Sequence, residues 1–372
     1  MSNKKRLKVV NKFNIIDERK YNFQIVFALF YKFFQMKKSY LLIIYSCCMI
    51  LLFNSCRINN RFKIDTSKNR VEVKIHRFDK DLLSLDTTNM KAGLDSLYSR
   101  YPDFLPAFTS NILDTASTDT IAVGNLFHQF LTDTAFKSVN KKTLQTFQNI
   151  TDIEKQVSDA YTYIHYYFPE VKLPEIYFFV SGFNRSIMMN NKFIGIGTDF
   201  YLGSNYPAYK NFTYQYMTYN MRRECLATDL VSATLFRMFV MNSSEYRLMD
   251  NMLFRGKVMY LLSVFMPEEK PEDIMGYNAE QWKWATTNEK QVWGYIIDQK
   301  HLFSTDVLLI RKYMNDAPFT APLSQDSPGR MGTWIGWQIV QSYMNKNPNK
   351  SLTDLMKENN YQKMLEDSGY RP

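Results

Sequence analysis

Apolar side chains recur at the 3.6-residue spacing of an amphipathic helix through most of the chain after Asn211. This pattern predicts helices at about 211–240, 245–265, 279–299, 304–315, 328–345 and 352–358. The region before Asn211 is mixed. It predicts helices near 91–99, 121–131 and 151–168, and strands at 71–78, 174–180 and 193–202, the last two of which can pair. The sequence therefore predicts an α+β fold in which a small N-terminal sheet region precedes a mostly helical C-terminal half.

The positive charge of the chain is concentrated at its N-terminus. The 372 residues carry a formal net charge of +10, and residues 1–55 contribute +8 of it. From Cys56 onward, 36 basic residues face 34 acidic ones. Nucleic acid is therefore not an expected partner, because a nucleic-acid-binding domain needs a basic face on its folded part. A content of 45% hydrophobic residues excludes a disordered chain, and the lack of a long linker within residues 71–372 predicts a single domain there.

The N-terminus has the layout of a bacterial export signal. A short basic region at 36–38 precedes an apolar run at 41–53, which is too short to cross a bilayer, and Cys56 follows. A small residue before a cysteine that closes such a run resembles the lipobox of bacterial lipoproteins, whose cysteine is acylated. We therefore interpret the segments as follows: 1–35 as an upstream extension from a start assigned too early, 36–55 as the signal peptide, Cys56 as the lipidation site and 56–70 as a tether.

Lipidation at Cys56 predicts a cell-envelope protein attached to a membrane by its acyl chains. Arg57 stands where an Asp often retains bacterial lipoproteins in the inner membrane, which favours the outer membrane. Residues 57–61 lack the acidic side chains of a surface-export tag, which favours the periplasmic leaflet. The alternative is a membrane-anchored helix from about 23 to 53, although Lys32 and two further lysines would be costly near the bilayer centre.

Familiar catalytic and metal-binding motifs are missing from the sequence. It contains no H-E-x-x-H, no paired cysteines after Cys56, no nucleophile elbow and no phosphate-binding loop, so we expect no metal and no cofactor. Cys225 lies in an apolar helical pattern with no nearby histidine, which predicts a small buried side chain rather than a nucleophile. The histidines lie singly, at His76, His128, His165 and His301.

One arrangement resembles the zincin-like peptidases, in which a helix bears H-E-x-x-H and a later helix supplies the third metal ligand. When the two patterns are aligned, Arg223 and Ala227 stand at the two histidines, Glu224 at the general base and Arg255 at the third ligand. Arginine stays protonated and cannot bind zinc. The pattern predicts a degenerate site without metal, in which Arg223 and Arg255 lie together and Glu224 pairs with one of them. An ordinary exposed Arg-Glu face is the alternative.

The predicted helix at 328–345 has the clearest local chemistry. Ser327 can cap its N-terminus, and Pro328 fits a first turn. Gly332 and Gly336 fall four residues apart on one face, so another backbone can approach that face closely. We interpret the stretch as a packing or interaction surface comprising Ser327, Gly329, Arg330, Gly332, Trp334, Gly336 and Trp337.

Several stretches occur in order along nearly all of the chain after Cys56. The longest is Ser327-Pro-Gly-Arg-Met-Gly-Thr-Trp-Ile-Gly-Trp-Gln-Ile-Val340. The shorter ones are Ile75-His-Arg-Phe-Asp79, Tyr101-Pro-Asp-Phe104, Tyr167-Phe-Pro-Glu170, Ser181-Gly-Phe-Asn184, Thr198-Asp-Phe-Tyr-Leu-Gly203, Leu253-Phe-Arg-Gly-Lys257, Ala317-Pro-Phe-Thr320 and Ser368-Gly-Tyr-Arg-Pro372. Together they resemble the gliding motility lipoprotein GldB family of Bacteroidetes.

The resemblance implies a cell-envelope lipoprotein needed for surface gliding, with partners in the type IX secretion and motility apparatus and with no enzymatic activity. Two other functions stay open on the sequence. An active zinc-dependent peptidase with atypical ligands would bind metal and need Glu224. A periplasmic glycan-binding module would use exposed rings of Trp282, Trp284 or Trp337.

Overall fold

A computed structural model describes residues 60–117 and 119–372. Arg61–Pro372 forms one compact unit. The upstream extension, the signal peptide, the lipidated Cys56 and the alternative helix at 23–53 all lie outside the described residues. Within the described residues, no helix is long and apolar enough to cross a membrane.

The sheet of the described chain contains β1 (Ile75–His76), β2 (Glu175–Phe179), β3 (Ile187–Met189) and β4 (Phe193–Gly197). Their spatial order is β1-β2-β4-β3, with β1, β2 and β4 parallel and β3 antiparallel to β4. β4 is buried along its whole length and β2 is buried after its first residue, as expected for strands covered on both faces. The predicted pairing of the second and third strand segments is confirmed.

Helices from the N-terminal part pack against this sheet. Phe104 stacks on Tyr177 of β2 with a centroid separation of 4.5 Å, and the missing side chain of Gly195 in β4 leaves room for its ring. Phe78 and Phe108 belong to the same aromatic core. The helices are α1 (Phe78–Leu83), α2 (Met90–Arg100), α3 (Phe104–Ile112), α4 (Thr120–Thr132), α5 (Thr134–Thr146) and α6 (Thr151–Tyr167). The predictions near 91–99, 121–131 and 151–168 are confirmed by α2, α4 and α6.

The predicted strand at 71–78 is mostly wrong, because only Ile75–His76 pairs with another strand. The alternation of buried and exposed residues is present, but the backbone N–H groups find their acceptors on a helix. The N–H groups of Val71, Val73 and Ile75 donate to side chains of α6, respectively Thr162, Ser158 and Glu154. The segment therefore lies extended along α6, and the chain turns into α1 at Phe78.

The described C-terminal half is helical, as predicted, and the α+β class is confirmed. Its helices are α7 (Gln215–Thr218), α8 (Leu226–Met238), α9 (Leu248–Phe265), α10 (Pro271–Met275), α11 (Ala279–Asp298), α12 (Val307–Met314), α13 (Met331–Lys346), α14 (Leu352–Lys357) and α15 (Tyr361–Ser368). Five of the six predicted helices match α9 and α11 to α14 closely.

The first half of the predicted helix at 211–240 is wrong. The Gly203 N–H donates to the Met221 carbonyl, which closes residues 204–220 into a loop, and the Asn220 side chain donates to the Gly276 carbonyl. These contacts replace the hydrogen bonds of a continuous helix, so α8 starts only at Leu226.

Residues 60–70 are the described part of the predicted tether at 56–70. A 3₁₀ turn runs over Asn60–Phe62, and Phe62 is buried edge-on against Tyr167 and Tyr260. Arg61 donates to the Pro348 carbonyl at 2.8 Å. The chain is therefore packed against the folded unit from residue 61, because an aromatic side chain and its neighbouring guanidinium both find partners there.

Candidate functional site

Helices α9 and α13 cross at a point where each carries a glycine. A Cβ at Gly336 would overlap the Met252 carbonyl, and a Cβ at Gly256 would overlap the Gly336 carbonyl. Gly332 similarly allows α12 to approach α13 at Tyr313. The predicted close approach of another backbone to the face of Gly332 and Gly336 is therefore confirmed.

The start of α13 differs from the prediction. The helix begins at Met331, after Arg330 in the left-handed conformation with φ of 61°, so Ser327 is not its cap. The Ser327 hydroxyl instead accepts the N–H of Thr320 at 3.1 Å, and the Thr320 hydroxyl accepts the N–H of Met331 at 3.2 Å. The N-terminus of α13 is thus satisfied by the preceding loop.

The large residues of the 327–340 stretch face the interior. Trp334 and Trp337 are only 1% and 2% exposed, and Trp282 of α11 packs edge-on against both. Gly329 lies against the backbone of Ala317. The glycan-binding hypothesis needed exposed rings, and Trp337 does not offer one; Trp282 and Trp284 are half-buried.

A cavity of about 110 Å³ opens beside this crossing, between α8, α9, α10 and α13. We call it the charged cavity. Its polar lining includes Asn220, Thr228, Asp229, Arg255, Arg330 and Thr333. A volume of this size corresponds to about four water molecules at ~30 Å³ each, so it suits a small polar ligand. Larger clefts exist, but this cavity brings together the partly buried charged side chains of Asp229, Arg255 and Arg330.

Asp229 of α8 is one of two acidic residues that line the charged cavity, and the other, Asp273, pairs with Arg222. Its carboxylate accepts a hydrogen bond of 2.8 Å from the Tyr201 hydroxyl. Burial raises the pKa of Asp229 from 3.8 to about 6, against the lowering effects of Tyr201 and of the Arg330 charge. The folded protein therefore carries a carboxylate that would ionise more easily in the unfolded chain.

We expect Asp229→Asn to stabilise the protein at pH 7 by about 1–2 kcal/mol and to have little effect below about pH 4. Because the folded pKa lies above the unfolded value, the folded state binds more protons between pH 3.8 and about 6, and stability falls as pH rises through that range. Asparagine cannot ionise and keeps an oxygen for Tyr201. Urea unfolding at pH 4 and 7 measures the difference.

Asp152→Asn is the matched control. Asp152 is an exposed carboxylate whose pKa is lowered by its hydrogen bonds from Arg223, so its removal should not stabilise the protein at pH 7. Equal effects of the two substitutions would contradict the assignment of the buried charge to Asp229.

Arg255 of α9 and Arg330 are the basic groups of the charged cavity. Arg255 donates to the Met314 carbonyl at 2.9 Å, and burial together with the charge of Arg330 lowers its pKa. Arg330 forms an ion pair with Asp316, with Nε 3.0 Å from the carboxylate, and also donates to the Met275 carbonyl. Both guanidinium groups stay charged, because arginine does not deprotonate in proteins.

The structure does not bring the four degenerate motif positions together. Arg223 and Glu224 lie in a 3₁₀ turn before α8, and Arg223 binds Asp152 of α6 and the Asn149 carbonyl. Glu224 is exposed and Ala227 is 1% exposed. Only Arg255 lines the charged cavity. The sequence predicts that Arg223 and Arg255 lie together and that Glu224 pairs with one of them; in the described chain Arg223 binds α6 instead, and Glu224 forms no ion pair with either arginine.

The sequence pattern does not predict which residues of α8 line the charged cavity. Thr228, Asp229 and Ser232 have the spacing of the H-E-x-x-H pattern, five residues later than the stretch assigned from sequence. A polar i, i+1, i+4 face in an otherwise apolar helix was the available signal. Arg330 was singled out, but its place opposite Asp229 depends on packing between distant segments.

Burial raises the pKa of the Cys225 thiol to about 11, so the group stays protonated at neutral pH. Within the described ranges, no group of three or more His, Cys, Asp or Glu side chains is arranged to hold a metal ion.

The family model of the gliding motility protein GldB matches residues 59–372. The chain belongs to the GldB family. The name of the family model marks its members as lipoproteins, which indicates a lipid-anchored protein of the cell envelope. No curated protein and no solved structure matches the chain, and the degenerate zincin-like scaffold stays a prediction.

Several of the stretches that resemble the GldB family lie at buried contacts of the fold. Asp79 of the first stretch is fully buried and binds Arg77. The loop at Ser181 is fixed by the buried carboxylate of Asp199, which accepts N–H groups from Ser181 and Phe183. The stretches at 253–257 and 327–340 meet at the glycine crossing and supply Arg255 and Arg330.

Proposed function

We propose that this GldB-family chain is a lipid-anchored component of the cell envelope that supports gliding motility and the associated type IX secretion apparatus. It acts by contacting motility or secretion proteins and catalyses no reaction. The observation that carries the proposal is the match of the GldB model to residues 59–372, which include the compact unit Arg61–Pro372.

The chemistry of the charged cavity supports a binding role. Arg255 and Arg330 are permanent cations that can neither accept a proton nor bind a metal ion. Glu224, which would be the general base of the peptidase alternative, is exposed and does not line the cavity.

The anchor in this proposal is an acylated Cys56. The family match begins at residue 59, shortly after that cysteine, so the matched region and the proposed mature chain nearly coincide. The Arg57 side chain and the lack of acidic residues at 57–61 favour the periplasmic leaflet of the outer membrane. Membrane fractionation, with protease accessibility in intact cells, tests this placement.

The test uses a strain of the host bacterium that lacks the gene, complemented with the wild type, Cys56→Ser or Glu224→Ala. We expect Cys56→Ser to abolish palmitate labelling and to reduce both colony spreading and type IX secretion. We expect Glu224→Ala to retain all three, because the exposed carboxylate has no catalytic role in the proposal.

The peptidase alternative makes the opposite prediction for Glu224→Ala. Loss of spreading or secretion at a normal protein level in that strain would contradict the non-catalytic role. Normal spreading and secretion in a strain lacking the gene would contradict the link to motility and secretion.

A further inference from the structure

The charged cavity holds two charged side chains that have no ion-pair partner among the described residues. Among its four charged side chains, Arg330 pairs with Asp316 at 3.0 Å, and Asp273 pairs with Arg222 at 3.6 Å. Arg255 and Asp229 form no ion pair within 4.0 Å, either with each other or with another described side chain. Arg255 binds only a backbone carbonyl, and Asp229 binds only a hydroxyl.

Two polar atoms of the same lining are buried and lack a hydrogen-bond partner among the described residues. They are Thr333 Oγ1, on a side chain that is 4% exposed, and Asn220 Oδ1. A buried polar atom without a partner costs about 1–3 kcal/mol, and such sites are usually completed by water or a ligand. Both atoms are covered by protein in this structure, so neither offers an accessible hydrogen-bonding group to the cavity.

Arg255 and Asp229 together have the chemistry that complements a small zwitterion. We propose that the charged cavity binds a small molecule with the carboxylate and ammonium groups of a free amino acid. Arg255 binds the carboxylate, and Asp229 binds the ammonium group. Hydrogen bonds between two charged groups are stronger than those between neutral groups, and each would give Arg255 or Asp229 an oppositely charged partner in addition to its neutral one. The proposal goes beyond the proposed function and does not depend on it.

The size of the cavity limits the ligand. A volume of about 110 Å³ accommodates an amino acid with a very small side chain and excludes a folded peptide or an oligosaccharide. Without a ligand, the ionised form of Asp229 is destabilised by burial, which raises its pKa to about 6. An adjacent ammonium group would favour that ionised form.

Isothermal titration calorimetry of the full chain in detergent tests the proposal, with glycine, acetate and methylammonium as probes. We expect glycine to bind with a Kd below ~1 mM, and acetate and methylammonium to bind at least about tenfold more weakly, because each supplies one charge. Asp229→Asn should weaken glycine binding at least about tenfold and leave acetate binding unchanged. Arg255→Lys should weaken the binding of both glycine and acetate.

Arg237→Lys is the matched control, because Arg237 lies on α8 outside the cavity and binds the carbonyls of Asn190 and Asn191. It should leave glycine binding unchanged. Circular dichroism confirms folding of each variant, and Asp229→Asn suffices if Arg255→Lys does not fold. Three results would overturn the proposal: no glycine binding up to ~10 mM, acetate binding as tight as glycine binding, or glycine binding unaffected by Asp229→Asn.

Discussion

Gly336→Ala is expected to destabilise the protein by at least about 3 kcal/mol, a large part of the 5–15 kcal/mol that holds a typical domain folded. The added Cβ would overlap the Met252 carbonyl of α9, and the facing Gly256 already lies against the Gly336 carbonyl. The atoms that a Cβ at Gly336 would meet belong to the backbone of Met252, so no side-chain rotation relieves the overlap. The two helices must separate, which also exposes the packed rings of Trp334 and Trp337.

Urea unfolding followed by tryptophan fluorescence measures this effect, because the two buried tryptophans lie on α13 beside the crossing. Gly294→Ala on α11 is the matched control. A Cβ at Gly294 meets no atom within 4 Å, so the better helix propensity of alanine should stabilise the protein by up to about 1 kcal/mol. A loss below about 1 kcal/mol for Gly336→Ala would contradict the close crossing.

The sequence predicted the elements whose signal is local. The helices at α9 and α11 to α14 show the apolar period through their own length, and their predicted limits agree closely with the structure. The glycine face of α13 was also predictable, because Gly332 and Gly336 are four residues apart. Its partner Gly256 was not, since nothing in the sequence links position 256 to position 336.

The errors arose where distant groups replace local hydrogen bonds. The segment at 71–75 alternates like a strand, yet its N–H groups bind side chains of α6, which lies about eighty residues later. The N-terminus of α13 has a possible cap in Ser327, yet Thr320 takes that role. In both cases the local side-chain pattern is clear from the sequence. The hydrogen-bond partner is not, because it comes from a segment that is distant in sequence or from an irregular loop.

The candidate site was only partly predictable for the same reason. Arg255 and Arg330 were both singled out, one for its place in a peptidase pattern and one within the 327–340 stretch. Asp229 is not predicted, because it lies five residues after Glu224 of the aligned motif. No regular spacing in the sequence links it to Arg255 or Arg330. The cavity exists only after α8, α9 and α13 pack together.

Asp79→Ala is expected to cost about 3–5 kcal/mol, because it leaves a largely buried arginine without its partner. Asp79 has no exposed surface, and Arg77 binds both of its carboxylate oxygens, at 2.8 and 2.6 Å. The same guanidinium donates to the Phe147 carbonyl at 2.7 Å, so Arg77 joins the start of α1 to the end of α5. Without Asp79 the guanidinium must stay unpaired or break that contact.

A double variant separates the value of the ion pair from the cost of an unpaired charge. Burial raises the pKa of Asp79 in spite of Arg77, so desolvation offsets much of the attraction between the two charges. Arg77→Met combined with Asp79→Leu should therefore recover at least about half of the loss, since two apolar side chains leave no buried charge. The exposed pair of Lys192 and Asp103, joined at 2.7 Å, is the control, and Asp103→Ala should change stability by less than about 1 kcal/mol. A double variant as unstable as Asp79→Ala would show that the pair itself, and with it the Arg77 contact to Phe147, stabilises this part of the fold.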